Sequence, residues 1–252
     1  MRRNLENKIV WITGAGSGIG QNAAITLSKL GAKLILSGRN KETLKQTADL
    51  CVNEANIKIL DISNKDQVKK IISEIQNEYS QVDILVNCAG INIENRDWET
   101  IDQNDWDKVF QTNINGLFYC CHSVIPLMKE QMDGLIINVS SWSGNHVSLL
   151  SGVSYTSAKH AVNAMTETIN MEFCNVGIRA CALCPGEVAT PILEKRPKKL
   201  SVEQKSKMLQ PDDLGETIAF LCQMPKHVCV NELTISPTWH RRYIADLGIE
   251  EL

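Results

Sequence analysis

The feature that most constrains this chain is a regular alternation of short, nearly continuous apolar runs with helical patterns, kept up from residue 9 to residue 235. The apolar runs occupy 9–12, 34–36, 57–60, 84–86, 135–139, 178–183 and 233–235. Between them, apolar side chains recur at helical spacing, as in Ile19, Ala23, Ala24, Leu27 and Leu30, or Val68, Ile71, Ile72, Ile75 and Tyr79. Further helices are predicted over 41–53, 105–129, 154–174 and 214–222. A strand that lacks a polar face must be covered on both sides, which is the habit of parallel sheets. The pattern predicts an α/β fold: a doubly wound, Rossmann-like, mainly parallel seven-stranded sheet with helices on both faces.

No internal repeat or composition break divides the 252 residues, so a single domain over 1–252 is expected. A net charge of −3 argues against nucleic-acid binding by bulk electrostatics. No apolar run approaches the ~18 residues that a membrane span needs. The first eight residues lack the apolar stretch of a secretory signal, and the nine cysteines are scattered. A cytoplasmic protein without membrane or nucleic-acid partners is therefore expected. Cys181 and Cys184 have C-x-x-C spacing inside a predicted strand, where residues three apart face opposite ways. They are read as small buried hydrophobes, and no metal site is expected.

The first predicted strand runs into Thr13-Gly14-Ala-Gly16-Ser17-Gly18-Ile19-Gly20, which opens the first helix. Glycines at such a turn let the backbone approach a pyrophosphate held on the unpaired N–H groups of the helix N-terminus. No Lys-Ser/Thr follows the last glycine, so the turn is not a Walker loop. Further on, Tyr155 and Lys159 are four residues apart and share one face of a predicted helix. An ammonium beside a phenol stabilises the phenolate and draws its pKa toward the working range. The pair follows Ser141, at the end of a predicted strand, by 14 residues.

The T-G-x-x-x-G-x-G turn with Ser141, Tyr155 and Lys159 resembles the short-chain dehydrogenase/reductase family. Asn113 in Asn113-Ile-Asn-Gly116, Asn87-Cys88-Ala89-Gly90, Asp61-Ile62, and Pro185-Gly186 followed by Val188 and Thr190 are similar to further family elements, in the same order. Cys88 stands where the family usually has a second asparagine, and the family's usual Asp-Gly-Gly after the last strand is absent. The ending around 232–238 instead resembles NADP-dependent reductases of small hydroxy acids.

The resemblance implies an oxidoreductase that moves a hydride between a nicotinamide and a small alcohol or carbonyl substrate. Tyr155 would be the proton donor or acceptor and Ser141 would polarise the substrate oxygen. Lys159 would lower the phenol pKa and hold the nicotinamide ribose, and Asn113 would link Lys159 to solvent through water. The cofactor would be held by Gly14, Ser17, Gly18, Ile19, Gly20, Asp61, Ile62, Asn87, Ala89, Gly90, Pro185, Gly186, Val188 and Thr190, together with Tyr155 and Lys159.

The second predicted strand ends in Gly38-Arg39-Asn40, without the acidic residue that would hydrogen-bond a ribose 2′-hydroxyl. Arg39, with Asn40 beside it, suits a 2′-phosphate, so NADP(H) is favoured over NAD(H). Residues 187–210 form the expected substrate lid, and the basic run 195–199 within it is read as a solvated loop. Trp98, Trp142, His146, Ile192 and Leu193 are candidates to line the substrate pocket. His122 and His160 are read as structural. Apolar residues around more than one face of the helices over 105–129 and 155–174 predict a homodimer or homotetramer. A non-catalytic NADP-binding sensor or scaffold on the same fold is the competing reading.

Overall fold

The computed structural model describes residues 2–196 and 199–249. The first half comprises β1 (Ile9–Thr13), α1 (Gly18–Lys29), β2 (Lys33–Gly38), α2 (Lys41–Leu50), β3 (Asn56–Ile59), α3 (Lys65–Tyr79) and β4 (Ile84–Asn87). Next, α4 (Gln103–Phe110) passes through a π-helical turn (Gln111–Gly116) into α5 (Leu117–Gln131). Then come β5 (Gly134–Val139), α6 (Val153–Phe173), β6 (Ile178–Pro185), α7 (Val202–Ser206), α8 (Pro211–Cys222), β7 (Glu232–Ile235) and α9 (Arg241–Asp246). The sheet has the order β3-β2-β1-β4-β5-β6-β7, and every pairing is parallel. Strand order reverses between β1 and β4, so the loops at their carboxyl ends diverge and leave a crevice.

The continuous apolar strands feed two cores, one on each face. Val10 and Ile12 of β1 pack with Ala23, Leu27, Leu214 and Ile218 in one layer. Ile9 and Trp11 of the same strand pack with Ile71, Val124 and Val162 in the other. Cys181 belongs to the first layer, while the Cys184 thiol lies beside Asn163 of α6. The expected opposite-facing arrangement of these two cysteines is what the strand geometry produces.

Two helices depart from the periodicity. α2 ends at Leu50 rather than near residue 53, because Cys51 takes up extended backbone with φ −76° and ψ 148°. The helix expected over 105–129 widens into the π turn at Gln111-Thr-Asn-Ile-Asn-Gly116. Four of those six residues are Thr, Asn or Gly, which hold an α-helix poorly. Among the described residues, no helix is long and apolar enough to cross a membrane.

Candidate active site

The crevice at the carboxyl ends of the strands is a cleft of about 1100 Å³ that runs from the glycine-rich turn to Ser141 and Tyr155. Its floor is set by Gly14. This residue has φ +67°, and a Cβ there would lie 2.6 Å from the Ala89 nitrogen, so only glycine lets the β1 and β4 loops meet. α1 starts at Gly18 behind Ser17, whose side chain makes no capping bond. The N–H groups of the first turn therefore have no intrahelical acceptor and point to the cleft side of the turn as an anion site. Ser17, Gly18, Ile19 and Gly20 all line the cleft, as do Arg39, Asn40, Asp61, Ile62, Ala89 and Gly90. At its other end Pro185, Gly186, Val188 and Thr190 form the wall.

Some expected contacts have other duties. The Asn40 side-chain oxygen accepts from the N–H groups of Glu42 and Thr43 at 2.8 and 3.1 Å, capping α2. Arg39 is exposed beside it and is the cation at the end of β2. Asp61 accepts from the N–H and hydroxyl of Ser63 at 3.0 and 2.7 Å through one oxygen. Asn87 is buried behind the cleft. Its amide donates to Asn138 at 2.9 Å and its oxygen accepts from the Thr13 hydroxyl at 3.3 Å, joining β1, β4 and β5.

The catalytic candidates converge from β5, the π turn and α6. Ser141 follows β5, and its hydroxyl accepts from the Ser143 N–H at 3.1 Å. Tyr155 lies in the first turn of α6. Burial pushes its phenol pKa up, while a hydrogen bond with Ser141 and the positive charges of Arg196 and Arg96 pull it down. Lys159, one turn on, is 4% exposed, and its ammonium lies 5.5 Å from the centre of the Tyr155 ring. It donates to the Val139 carbonyl at 2.8 Å, and burial lowers its pKa to about 8. At Tyr155 burial outweighs the rest, so the phenol pKa stands above its usual value.

Asn113 is fixed within the π turn by a two-way grip: its oxygen accepts from the Ile91 N–H at 2.8 Å and its amide donates to the Ile91 carbonyl at 2.9 Å. A Cβ on Gly90 would lie 3.5 Å from the Asn113 oxygen and 3.7 Å from the Lys159 nitrogen. The two side chains therefore flank Gly90. The Cys88 thiol also lines the cleft, but burial pushes its pKa up to about 12, which removes it as a nucleophile.

The substrate end differs in part from expectation. Trp142, Ile192 and Leu193 line the cleft, whereas Trp98 is 80% exposed on the outer surface. His146 stacks on Trp142 with ring centres 4.4 Å apart instead of facing the cleft. The His160 ring lies along its own helix, with Nδ1 2.9 Å from the Thr156 carbonyl one turn back. The expected lid contains a 3-10 helix at Pro191–Lys195 and then α7, while Pro197 and Lys198 of the basic run lie outside the described residues. Arg196 of that run is not solvated: its guanidinium is largely buried and pairs with Glu187 at 2.6 Å.

Two groups escaped the sequence reading. Arg96 is 5% exposed and lines the cleft, although it stands in no motif. α9 closes the cleft from outside, with His240 and Arg241 on its wall and His240 packed on Trp142 at 4.5 Å. The only sequence signals were a lone arginine in a polar loop and a short aromatic cluster after the last strand.

A family model described as short chain dehydrogenase matches residues 8–201. An uncharacterized oxidoreductase of Staphylococcus aureus (strain USA300) is 34% identical over 92% of this chain and 98% of its own length. The closed form of a serine dehydrogenase complexed with NADP+ superposes with a TM-score of 0.83 at 28% identity, covering 91% of this chain and 94% of the other. A 3-ketoacyl-(acyl-carrier-protein) reductase from Brucella melitensis complexed with NADH gives 0.84 at 29% identity, over 92% and 98%.

Proposed function

The chain belongs to the short-chain dehydrogenase family of oxidoreductases, and from that premise we propose that it interconverts a small alcohol and its carbonyl with NADP(H) as hydride carrier. The observation that carries this reading is the meeting of Ser141, Tyr155 and Lys159 at one end of a cleft whose other end is a glycine turn on an uncapped helix N-terminus. A pure binding protein has no use for a hydroxyl set against a buried phenol, which weighs against the sensor or scaffold reading.

The residues present fit a dinucleotide. Gly14 lets the β1 turn close on the β4 loop, and the first turn of α1, uncapped by a side chain, offers N–H donors for a pyrophosphate on the cleft side. Asp61 and Ile62 would border the adenine, Arg39 would take the 2′-phosphate, and Thr190 with Pro185, Gly186 and Val188 would border the nicotinamide. A bound nicotinamide would supply the hydride exchange; Tyr155 would take the substrate hydroxyl proton as phenolate in oxidation and return it as phenol in reduction.

Ser141 holds the substrate oxygen against the phenol and stabilises charge that develops there. Lys159 is anchored by Val139, where its ammonium would bind ribose hydroxyls. Asn113 would hold the water that joins Lys159 to solvent. The groove on α5 and α6, with Phe118 and Ile125 on its wall, suits a second copy of the chain in a dimer or tetramer. The test is a panel of hydroxy acids, polyols and simple ketones followed by NADPH absorbance, with Tyr155→Phe as control. Turnover that survives in that variant would overturn the mechanism.

A further inference from the structure

The substrate end of the cleft carries more positive charge than hydride transfer to a neutral alcohol calls for. Arg96 and Arg196 both line it with Tyr155, and Lys195, Arg241 and Arg242 stand around them. Glu187 accepts from Arg196 at 2.6 Å and from Arg241 at 3.2 Å, so a single carboxylate serves two of these cations.

Among the described residues, the hydrogen bonds of Arg96 all go to backbone carbonyls, and the charges of Asp97 and Glu94 act on it from nearby. Its Nε–H donates to the Glu94 carbonyl at 3.3 Å, one terminal nitrogen donates to Leu150 at 3.0 Å, and the other donates to the carbonyl of Lys195. It forms no ion pair among the described residues. A guanidinium has five N–H groups, so one on each terminal nitrogen remains uncommitted. One N–H from each of two guanidinium nitrogens is the complement that a carboxylate's two oxygens require. The neighbouring Arg196 also keeps a buried terminal nitrogen without a hydrogen-bond partner among the described residues. A buried unpaired donor in a cleft calls for a ligand.

The position of Arg96 is built in from the catalytic helix. Gly152 caps α6 at φ +79°, and a Cβ there would lie 2.7 Å from Arg96 Cγ and 2.8 Å from its carbonyl oxygen. The Arg96 carbonyl accepts from the Val153 N–H at 3.3 Å. The arginine is therefore set against the same helical turn that carries Tyr155, and its charge is felt at the phenol.

We propose that Arg96, assisted by Arg196, receives a carboxylate on the substrate, which makes the substrates of this chain hydroxy acids and their oxo acids. The proposal rests on the hydride-transfer reading above and adds the substrate class to it. With the carboxylate on the arginines, the carbinol carbon a short distance along the molecule is directed toward Ser141 and Tyr155. The apolar wall of Ile192 and Leu193 takes the remaining carbons.

The experiment compares kcat/KM with NADPH for acetoacetate against its methyl ester, and for hydroxyacetone phosphate against hydroxyacetone. The wild-type protein is expected to favour the acid over the ester by about ten- to a hundredfold, as loss of a charge-assisted contact implies. Arg96→Met should bring that ratio toward one, and Arg196→Gln should lower it part of the way. The ratio is internal to each variant, so partial misfolding does not imitate the effect, and a purely structural clamp at Arg96 would leave it unchanged. Equal use of acid and ester by the wild type, or an unchanged ratio in Arg96→Met, overturns the proposal. A preference confined to the phosphate pair overturns the carboxylate assignment. Melting of the NADP+-loaded protein with 3-hydroxybutyrate or its methyl ester separates the two layers. Protection by the acid alone without turnover of any probe keeps the carboxylate site and sinks the hydride-transfer reading; neither protection nor turnover sinks both.

Discussion

The Lys159 ammonium donates to the backbone carbonyl of Val139 at 2.8 Å, pinning α6 to the end of β5 while almost fully buried. This contact places the lysine under the cleft, while its burial costs stability, because the desolvation that drops its pKa from 10.5 to about 8 disfavours the charged form. A folded pKa below the unfolded one means that the unfolded chain binds more protons between pH 8 and 10.5. Stability therefore rises with pH across that window and is lowest, for this group, below about 8.

Lys159→Met should accordingly stabilise the cofactor-free protein at pH 7. The gain is of the order of 2 kcal/mol after the lost Val139 bond is allowed for. It should shrink by pH 10.5, while turnover collapses. Thermal melts at the two pH values check the sign, and a variant less stable than the parent at pH 7 would contradict it.

Tyr155→Phe keeps the ring and removes the phenol. Turnover should fall by ~10²–10⁴-fold, the usual loss for a general acid or base, with the NADPH dissociation constant nearly unchanged. Steady-state rates and a fluorescence titration of cofactor read the two effects separately.

Arg39→Ala should weaken NADPH binding about ten- to a hundredfold and leave NADH almost untouched, since the lost contact is charge-assisted. Asn40, whose side-chain oxygen caps α2, keeps its amide N–H groups to donate to the phosphate, which softens the single-variant effect. Gly38→Asp is sterically allowed, with its Cβ 3.4 Å from Leu44, and would add repulsion toward the phosphate. The double variant should reverse the preference, as judged by kcat/KM for each cofactor. A parent that already prefers NADH would refute the reading of Arg39.

Gly14→Ala forces an L-residue to φ +67° and drives its Cβ against the Ala89 backbone. Strain alone accounts for about 1–3 kcal/mol, and the collision adds to it. Urea unfolding should show the loss, together with weakened cofactor binding. Stability within experimental error of the parent would mean that the turn relaxes.

Phe118 is 48% exposed on α5, facing the groove shared with α6. Phe118→Glu should weaken self-association by burying a charge at the proposed interface. Light scattering at micromolar concentration tests this, and a monomeric wild type would remove the dimer from consideration.

The strand and helix order was legible because burial on both faces leaves a local mark: the inner strands are largely apolar runs, the edge strands β3 and β7 alternate apolar with polar residues, and Gly14 and Gly18 mark the turn where the chain must adopt positive φ. The motif residues around Ser141, Tyr155 and Lys159 could be read for the same reason, since their separations along the chain are fixed by one strand end and one helical turn. Sequence alone determined the sheet, the helices and the dinucleotide-type turn.

Tertiary structure decided the rest. Asn87 and Asn40 turned out to be tied to other partners, Lys159 to a carbonyl of the neighbouring strand, and Trp98 to the outer surface. Arg96 reached the cleft because Gly152, 56 positions later, leaves room for it at the start of α6. No periodicity encodes such a meeting. Side chains from separate loops acquire their electrostatic roles only when folding removes water between them and fixes which charges remain close, and that is a property of packing rather than of spacing along the chain.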